Sequence, residues 1–554
     1  MTRQTDVVKG REDMVRNNAG GFTFKVSDMD RLDRFLVLGT EGNTYYQGGA
    51  QLAKENAQHV ISLLRKDPKG AIDRVVEVSQ AGRAPKNEYA LFVLALAASD
   101  ASEDTRRMAF QALPQVARTG THLFEFVAYA EQFRGWGAAM RKAIGRWYTE
   151  KTSDALAYQV VKYQSRGGWS NRDLLRLAHP KAKDDSFDAV FRWVAGGPDG
   201  LKASTHAGGN SKAAPKLTPR KDVTAALPGI IQAFEEAKTC GENRLISLIL
   251  DHNLPREAIP TERLNSVKVW EALLEKMPMT AMVRNLATMT RNGLLDSTDA
   301  RQKVLDTLAN QNALSKSRIH PMQVLMALKT YEAGRGVRGS NTWTPHKDIV
   351  KALDSAFYLT FGNVTPTNKK TVLGLDVSGS MTYGDIAGFI GLNPRIASIA
   401  MALVTANVEP DYRLIAFTPG GFSPNTGGRS WGGGSSVKEI HLDPKGGLTK
   451  ALAAVNNMPF AGTDCSLPML WADHVGYAAE NFSVYTDNET YAGSVHPFQA
   501  LKTFRVKHNV PAKLAVFGMT STGFTIADPT DAGMMDFVGF DSAAPELAQQ
   551  FFAK

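Results

Sequence analysis

Asp376, Ser378 and Ser380 stand in the pattern D-x-S-x-S, directly after an apolar run at residues 372–375. One carboxylate and two hydroxyls from a single tight loop are hard oxygen donors of low total charge. Such a set suits Mg2+, which keeps several waters and leaves a coordination position open. In an open α/β sheet, such donors collect where strands end at their carboxyl edge.

A second group of residues points to different chemistry. Lys162 and Arg166 are four residues apart, and a helix predicted over 154–166 puts them on one face. Gly167-Gly168-Trp169 then turns the chain, and Ser170 with Asp173 gives the S-x-x-D start of another helix. That helix presents Arg172, Arg176 and His179 at i, i+4 and i+7, opposite Leu174, Leu175, Leu177 and Ala178. Two adjacent helices would share a basic surface able to follow a phosphate backbone. A solvated charged face has the same pattern. Trp169 is placed either to stack on a base or to fill the core of the junction. No P-loop and no H-E-x-x-H occurs, so catalytic residues are not expected and the chain is read as non-enzymatic.

The elements that must position these residues follow from periodicity. Windows 54–66, 70–80, 86–98, 104–117 and 122–133 repeat apolar residues at helical spacing, separated by short Gly-, Pro- or Asp-rich links. Paired antiparallel helices are expected, without the fixed period of a strict solenoid. Residues 198–222 are rich in Gly, Pro, Ala and Lys and poor in bulky apolar side chains, which predicts a mobile basic loop. Helical patterning returns at 227–290 and 300–333. Beyond residue 360 the period changes: 371–376, 412–417, 482–486 and 513–518 are short apolar runs alternating with helical stretches at 394–408 and 497–507. Strand–helix alternation predicts a parallel, doubly wound sheet. The domains are therefore set at 1–360 and 361–554. The Gly- and Ser-rich stretch 418–436 is either an entropic insertion or a binding surface carrying Arg429 and Trp431.

A length of 554 residues exceeds what one core supports. With 43% hydrophobic and 21% charged residues, wholesale disorder is excluded. The net charge of +9 makes an anionic partner plausible without proving one. Two cysteines, Cys240 and Cys465, cannot build a disulfide framework. The first residues lack an apolar core of a secretory signal, and no run is long enough to span a membrane. A cytoplasmic monomer with no membrane partner is the expectation.

The Asp376 loop resembles the metal-ion-dependent adhesion site of von Willebrand factor A domains. In that family two later loops add a Thr and an Asp. Thr463 in AGTDCS and Asp487 in VYTDNET occupy the matching positions. Asp464 is either a further ligand or a cap for the helix that follows.

Longer segments carry a second resemblance. DMDRLDRFLVLGTEGNTYY, RKAIGRWY, KYQSRGGWSNRDLLRLAHPK, LPREAIP and MPMTAMVRNL are similar to the TROVE module of the Ro ribonucleoprotein autoantigen family. LDVSGSM, AGTDCSLPMLWA, VYTDNET and GMTSTGFTIADP resemble that family's A domain, in the same order. The resemblance implies a toroid of HEAT-like helices closed by a Rossmann-like A domain, in a bacterial or phage member. It implies binding of small Y-type RNAs on an outer basic surface, where Lys162, Arg166 and His179 match the contacting positions. It also implies capture of single-stranded 3′ ends of misfolded RNA in the ring, with a 3′-to-5′ exoribonuclease as partner in RNA quality control. A metal-dependent protein-interaction scaffold is the alternative.

Overall fold

The computed structural model describes residues 1–39, 57–208, 216–336, 340–362, 364–384, 386, 392–417, 437–441, 448–456, 462–520 and 522–554. Short polar side chains start many of the helices. Ser27, Ser102, Thr119, Thr152 and Asp184 each accept the N–H three residues on. Each such cap contributes typically about 1 kcal/mol. The helices Gln58–Lys66, Pro68–Ala81, Glu88–Ala98, Glu103–Val116 and Gly120–Phe133 match the apolar windows to within a few residues. Glu88–Ala98 is buried from Tyr89 onward and lies between its neighbours, which is why its sequence is apolar all round.

Helices continue to Lys347–Leu359 and form a toroid. Its ends meet at the turn after Pro68–Ala81 and the start of Pro321–Glu332. There His320 Nε2 lies 3.0 Å from the carbonyls of both Arg83 and Phe540, while Nδ1 accepts from Met322 N at 3.2 Å. Two carbonyl partners make Nε2 the protonated nitrogen. Burial holds this imidazole down to about 4, so it stays neutral.

Phe540 belongs to the second domain, so His320 joins three distant stretches of chain. Beside it Arg83 grips Asp541, at 2.9 Å from Nε and 2.5 Å from Nη2. Arg34 of helix Asp28–Leu38 reaches Asp536 at 2.6 Å.

The second domain is a six-stranded sheet in the order Met534–Val538, Lys513–Gly518, Asn481–Thr486, Thr371–Asp376, Tyr412–Phe417, Val437–Glu439. All neighbours are parallel except the last pair. Alternate residues point to opposite faces. Leu373, Leu375, Tyr485 and Phe517 join the core of the ring, whereas Val372, Phe482, Val484 and Val516 form a separate one. Helix Pro394–Val408 covers the ring side and is buried over most of its length.

Two expectations are corrected. Helix Ser153–Lys162 stops at Lys162, and Arg166 lies in a two-residue strand, Ser165–Arg166, paired with Trp169–Ser170. Gly167 and Gly168 both have positive φ, 55° and 83°. A two-residue hairpin turn needs that conformation, and a helix excludes it.

The stretch 198–222 is not an unpatterned loop. A 3-10 turn Pro198–Leu201 precedes strands Ser204–Gly208 and Lys216–Arg220, which pair antiparallel. Buried Arg192 donates to the carbonyls of Gly200, Lys202 and Lys221 and ties the base of this hairpin. That anchor sits outside the segment, where local composition cannot reveal it.

Residues 1–26 dock on the second domain. Strands Met14–Arg16 and Phe22–Lys25 form a small sheet with Phe524–Thr525 on the flank of the second domain.

Candidate functional site

Two loops at the carboxyl ends of adjacent strands, with the loop before helix Leu467–His474 beside them, build the oxygen cluster. Asp376 ends its strand and is fully buried; Oδ1 accepts from Ser378 N at 2.9 Å and Oδ2 from Thr486 Oγ1 at 2.7 Å. The hydroxyls of Ser378 and Ser380 lie 3.1 Å apart. The guanidinium of buried Arg395 donates to the carbonyl of Val377 and so holds the loop from the following helix. Asp487 follows the neighbouring strand, and its Oδ1 accepts from Glu489 N at 3.0 Å. Thr463 is buried, and its carbonyl accepts from Tyr491 N and Ala492 N.

Asp464 turns out to be a turn acceptor. Its Oδ1 takes Ser466 N at 3.0 Å and Ser466 Oγ at 2.6 Å just before helix Leu467–His474.

These groups fit a hard cation. Asp487 Oδ2 is buried with no hydrogen-bond partner. Burial first, then the charge of Asp376, pushes Asp487 up to about 8, and burial likewise raises Asp376. Two buried carboxylates that resist ionising together, with hydroxyls beside them, are a site that a divalent ion would relieve. Among the described residues no group of three or more His, Cys, Asp or Glu side chains is placed to hold a metal, so any cation here would rely on hydroxyl oxygens beside the two carboxylates.

The basic residues divide. Lys162 and Arg166 line a cavity of about 990 Å3 in the helical domain. Lys86, Arg118, Arg284 and Arg318 face the same space, against Glu88, Glu125 and Glu257. Lys162 Nζ lies over the rings of Tyr158 and Tyr163 at 5.4 and 5.5 Å. Arg166 Nε is 3.8 Å from Glu125.

Arg172 and Arg176 are exposed on helix Asn171–Ala178, and exposed His179 caps its end with φ 47°. The Ser170–Asp173 capping box forms as its spacing predicts. None of these three basic residues is among those lining the cavity. Trp169 packs half-buried against Trp136 at 5.8 Å and fills the junction.

Sequence reasoning missed Lys86, Arg118, Arg284 and Arg318. They come from four distant turns and helices, so no local spacing marks them. Residues 428–432 carry the letters G-x-S-x-G. Those letters, with Arg429 and Trp431, lie outside the described residues.

The TROVE domain family matches residues 15–214 and 248–330, and the Ro60 vWA domain family matches 370–552. The chain is 39% identical to the RNA-binding protein RO60 of Deinococcus radiodurans, over 98% of this chain and 95% of that one. It is 35% identical to the RNA-binding protein RO60 of Caenorhabditis elegans, over 99% and 91%. The crystal structure of the Deinococcus radiodurans RO (RSR) protein superposes with a TM-score of 0.66 at 37% identity, covering 95% of this chain and 99% of that one. Among the described residues no helix is long and apolar enough to cross a membrane.

Proposed function

This chain belongs to the Ro60 family, and on that premise we propose that it binds RNA, with a single strand in the ring cavity and a folded RNA on the exposed basic helix. The observation that carries this reading is the convergence of six cationic side chains on one cavity. Cations there meet the backbone, and the phenol of Tyr163 offers a base a stacking face. Outside, Arg172, Arg176 and His179 would hold phosphates of a small structured RNA of the Y type. RNA held near its 3′ end is consumed by 3′-to-5′ exoribonucleases, so that enzyme class is the expected partner in RNA quality control. The protein's own part is that of a ribonucleoprotein component, not a catalyst. Asp376, Ser378, Ser380, Thr463 and Asp487 would hold Mg2+, which would supply a fixed charge for a partner carboxylate.

The test compares a single-stranded RNA with a free 3′ end against the same sequence in a blunt duplex, by filter binding. Clear preference for the single strand is expected; equal binding overturns the cavity assignment.

The cavity also carries a pH dependence. Burial, then the charge of Glu88, raises Glu125 to about 7, with Arg166 opposing. Burial keeps neighbouring His122 down at about 4, so it stays neutral. As pH falls from 8 to 6, Glu125 takes up a proton and the wall loses one negative charge. Single-strand affinity is expected to rise over that window, and Glu125→Gln should flatten the profile at its tight-binding end. A wild-type profile without slope would remove Glu125 from the site.

A second reading, a protein-interaction scaffold working through the oxygen cluster, is favoured by the unpartnered Asp487 Oδ2. Under it, chelation abolishes partner binding and leaves RNA binding intact.

A further inference from the structure

The first residues of the chain reach the oxygen cluster. Gln4 is fully buried, 460 positions from the loop it touches. Its Nε2 donates to Asp464 Oδ1 at 2.8 Å and to the Val495 carbonyl at 2.9 Å. Its Oε1 accepts from Thr490 Oγ1 at 2.6 Å and from Gly493 N at 3.1 Å. Both donors and both acceptor positions of the amide are therefore used, which fixes its orientation. The partners lie on two different cluster loops. Asp464 follows Thr463, and Thr490 lies three residues beyond Asp487. Thr490 Oγ1 in turn accepts from Cys465 N at 3.0 Å, closing a circuit between the loops.

Other strap residues grip the same segment. Asn17 Nδ2 donates to the Thr490 carbonyl at 2.7 Å. Asn18 and the N–H of Ala19 bond the two oxygens of Glu489 at 2.6 and 3.0 Å. Space is tight: a Cβ at Gly493 would overlap Gln4 Nε2 and Asp464 Oδ1.

We propose that the strap at residues 1–26 is a working part of the cation site, with Gln4 as the positioning residue that sets the spacing of the Thr463 and Asp487 loops. This rests on the reading of the cluster as a divalent-metal site. Partners that orient metal ligands are worth typically about 10–100-fold in affinity. Gln4 reaches one loop through the carboxylate next to a proposed ligand, and the other through a hydroxyl three residues from a second. Its loss should therefore let the two loops drift apart while the sheet beneath them stays intact.

The experiment titrates Mn2+ into the full-length protein by electron paramagnetic resonance, at a temperature well below unfolding. Gln4→Met keeps the side chain's bulk and removes all four bonds. Gly493→Ala keeps Gln4 and displaces it. Arg11→Ala loosens the strap elsewhere, at the Asp528 ion pair, without touching either loop. At least a tenfold loss of Mn2+ affinity in the first two variants, with Arg11→Ala near wild type, is expected. Single-strand RNA affinity should be unchanged in all three, which a general unfolding would not allow. Equal Mn2+ affinity in wild type and both loop-facing variants overturns the strap's role alone. A wild type that binds no Mn2+ overturns the metal reading, and this inference with it. Should Gln4→Met not fold, Gly493→Ala decides by the same criterion.

Discussion

Replacing Lys162 and Arg166 together by Ala is expected to weaken single-stranded RNA binding and to flatten its salt dependence. Each phosphate contact to a single strand contributes about 0.7 to the slope of log affinity against log salt. Two lost contacts should reduce that slope by about 1.4. The ratio of wild-type to variant affinity should then shrink about sevenfold as salt rises from roughly 50 to 200 mM. Binding of a folded RNA through the outer helix should change little. The triple variant Arg172→Ala, Arg176→Ala, His179→Ala is expected to do the reverse. The proposed division rests on Lys162 and Arg166 lining the cavity while the other three do not. Sequencing the RNA that co-purifies with each variant checks the same division in the cell. If both variants lose the same RNAs to the same extent, one continuous surface is present and the division fails.

That division also marks how far the sequence could be read. Strands at 371–376, 412–417 and 513–518 were legible to the residue, because a buried parallel strand is an uninterrupted apolar run between turns. Met534–Val538 was not, since it is an edge strand whose MMDFV mixes exposed and buried positions. The Asp376 loop was visible because its three donors are consecutive in a short pattern. Gln4 was invisible because nothing in a lone N-terminal glutamine announces a partner at Asp464. Arg166 was misplaced because the i, i+4 rule was carried past the end of the helix at Lys162, into a hairpin that turns at Gly167 and Gly168. The anchoring of 198–222 failed for a related reason, as the tie comes from Arg192 on a preceding helix.

The second large effect concerns closure of the ring. Arg83 and Asp541 are both buried, with side-chain exposures of 10% and 3%. Removing one member leaves the other charge desolvated and unpaired, which costs about 3–5 kcal/mol. Asp541→Ala is therefore expected to lower the unfolding free energy in urea by about that amount. Amide exchange should accelerate at residues 82–85 and 318–323, where the ends of the toroid meet. The double variant Arg83→Met, Asp541→Leu should recover most of the loss, because no buried charge remains. A single-variant loss below about 1 kcal/mol would place the pair among weakly coupled surface contacts instead.

Acid should loosen the same junction through His320. Below pH 6.5 the unfolded chain takes up a proton there that the folded chain refuses until about pH 4, so stability falls across that window. Asp33, raised to about 6 mainly by burial, acts in the opposite sense, since its folded form takes up a proton first.

The docking of residues 1–26 on the second domain has a consequence for the order of synthesis. The ring is an excursion of the chain that leaves this domain and comes back to it. Asp464 is made 460 residues after the Gln4 that bonds it. At roughly 5–20 residues per second, the strap waits about 25–90 s on the ribosome before its receptor exists. During that time its apolar strand residues must stay soluble beside a growing helical array. The cluster of oxygens can close only once its last loop has left the ribosome, so a cation bound there would report that the second domain has met its strap.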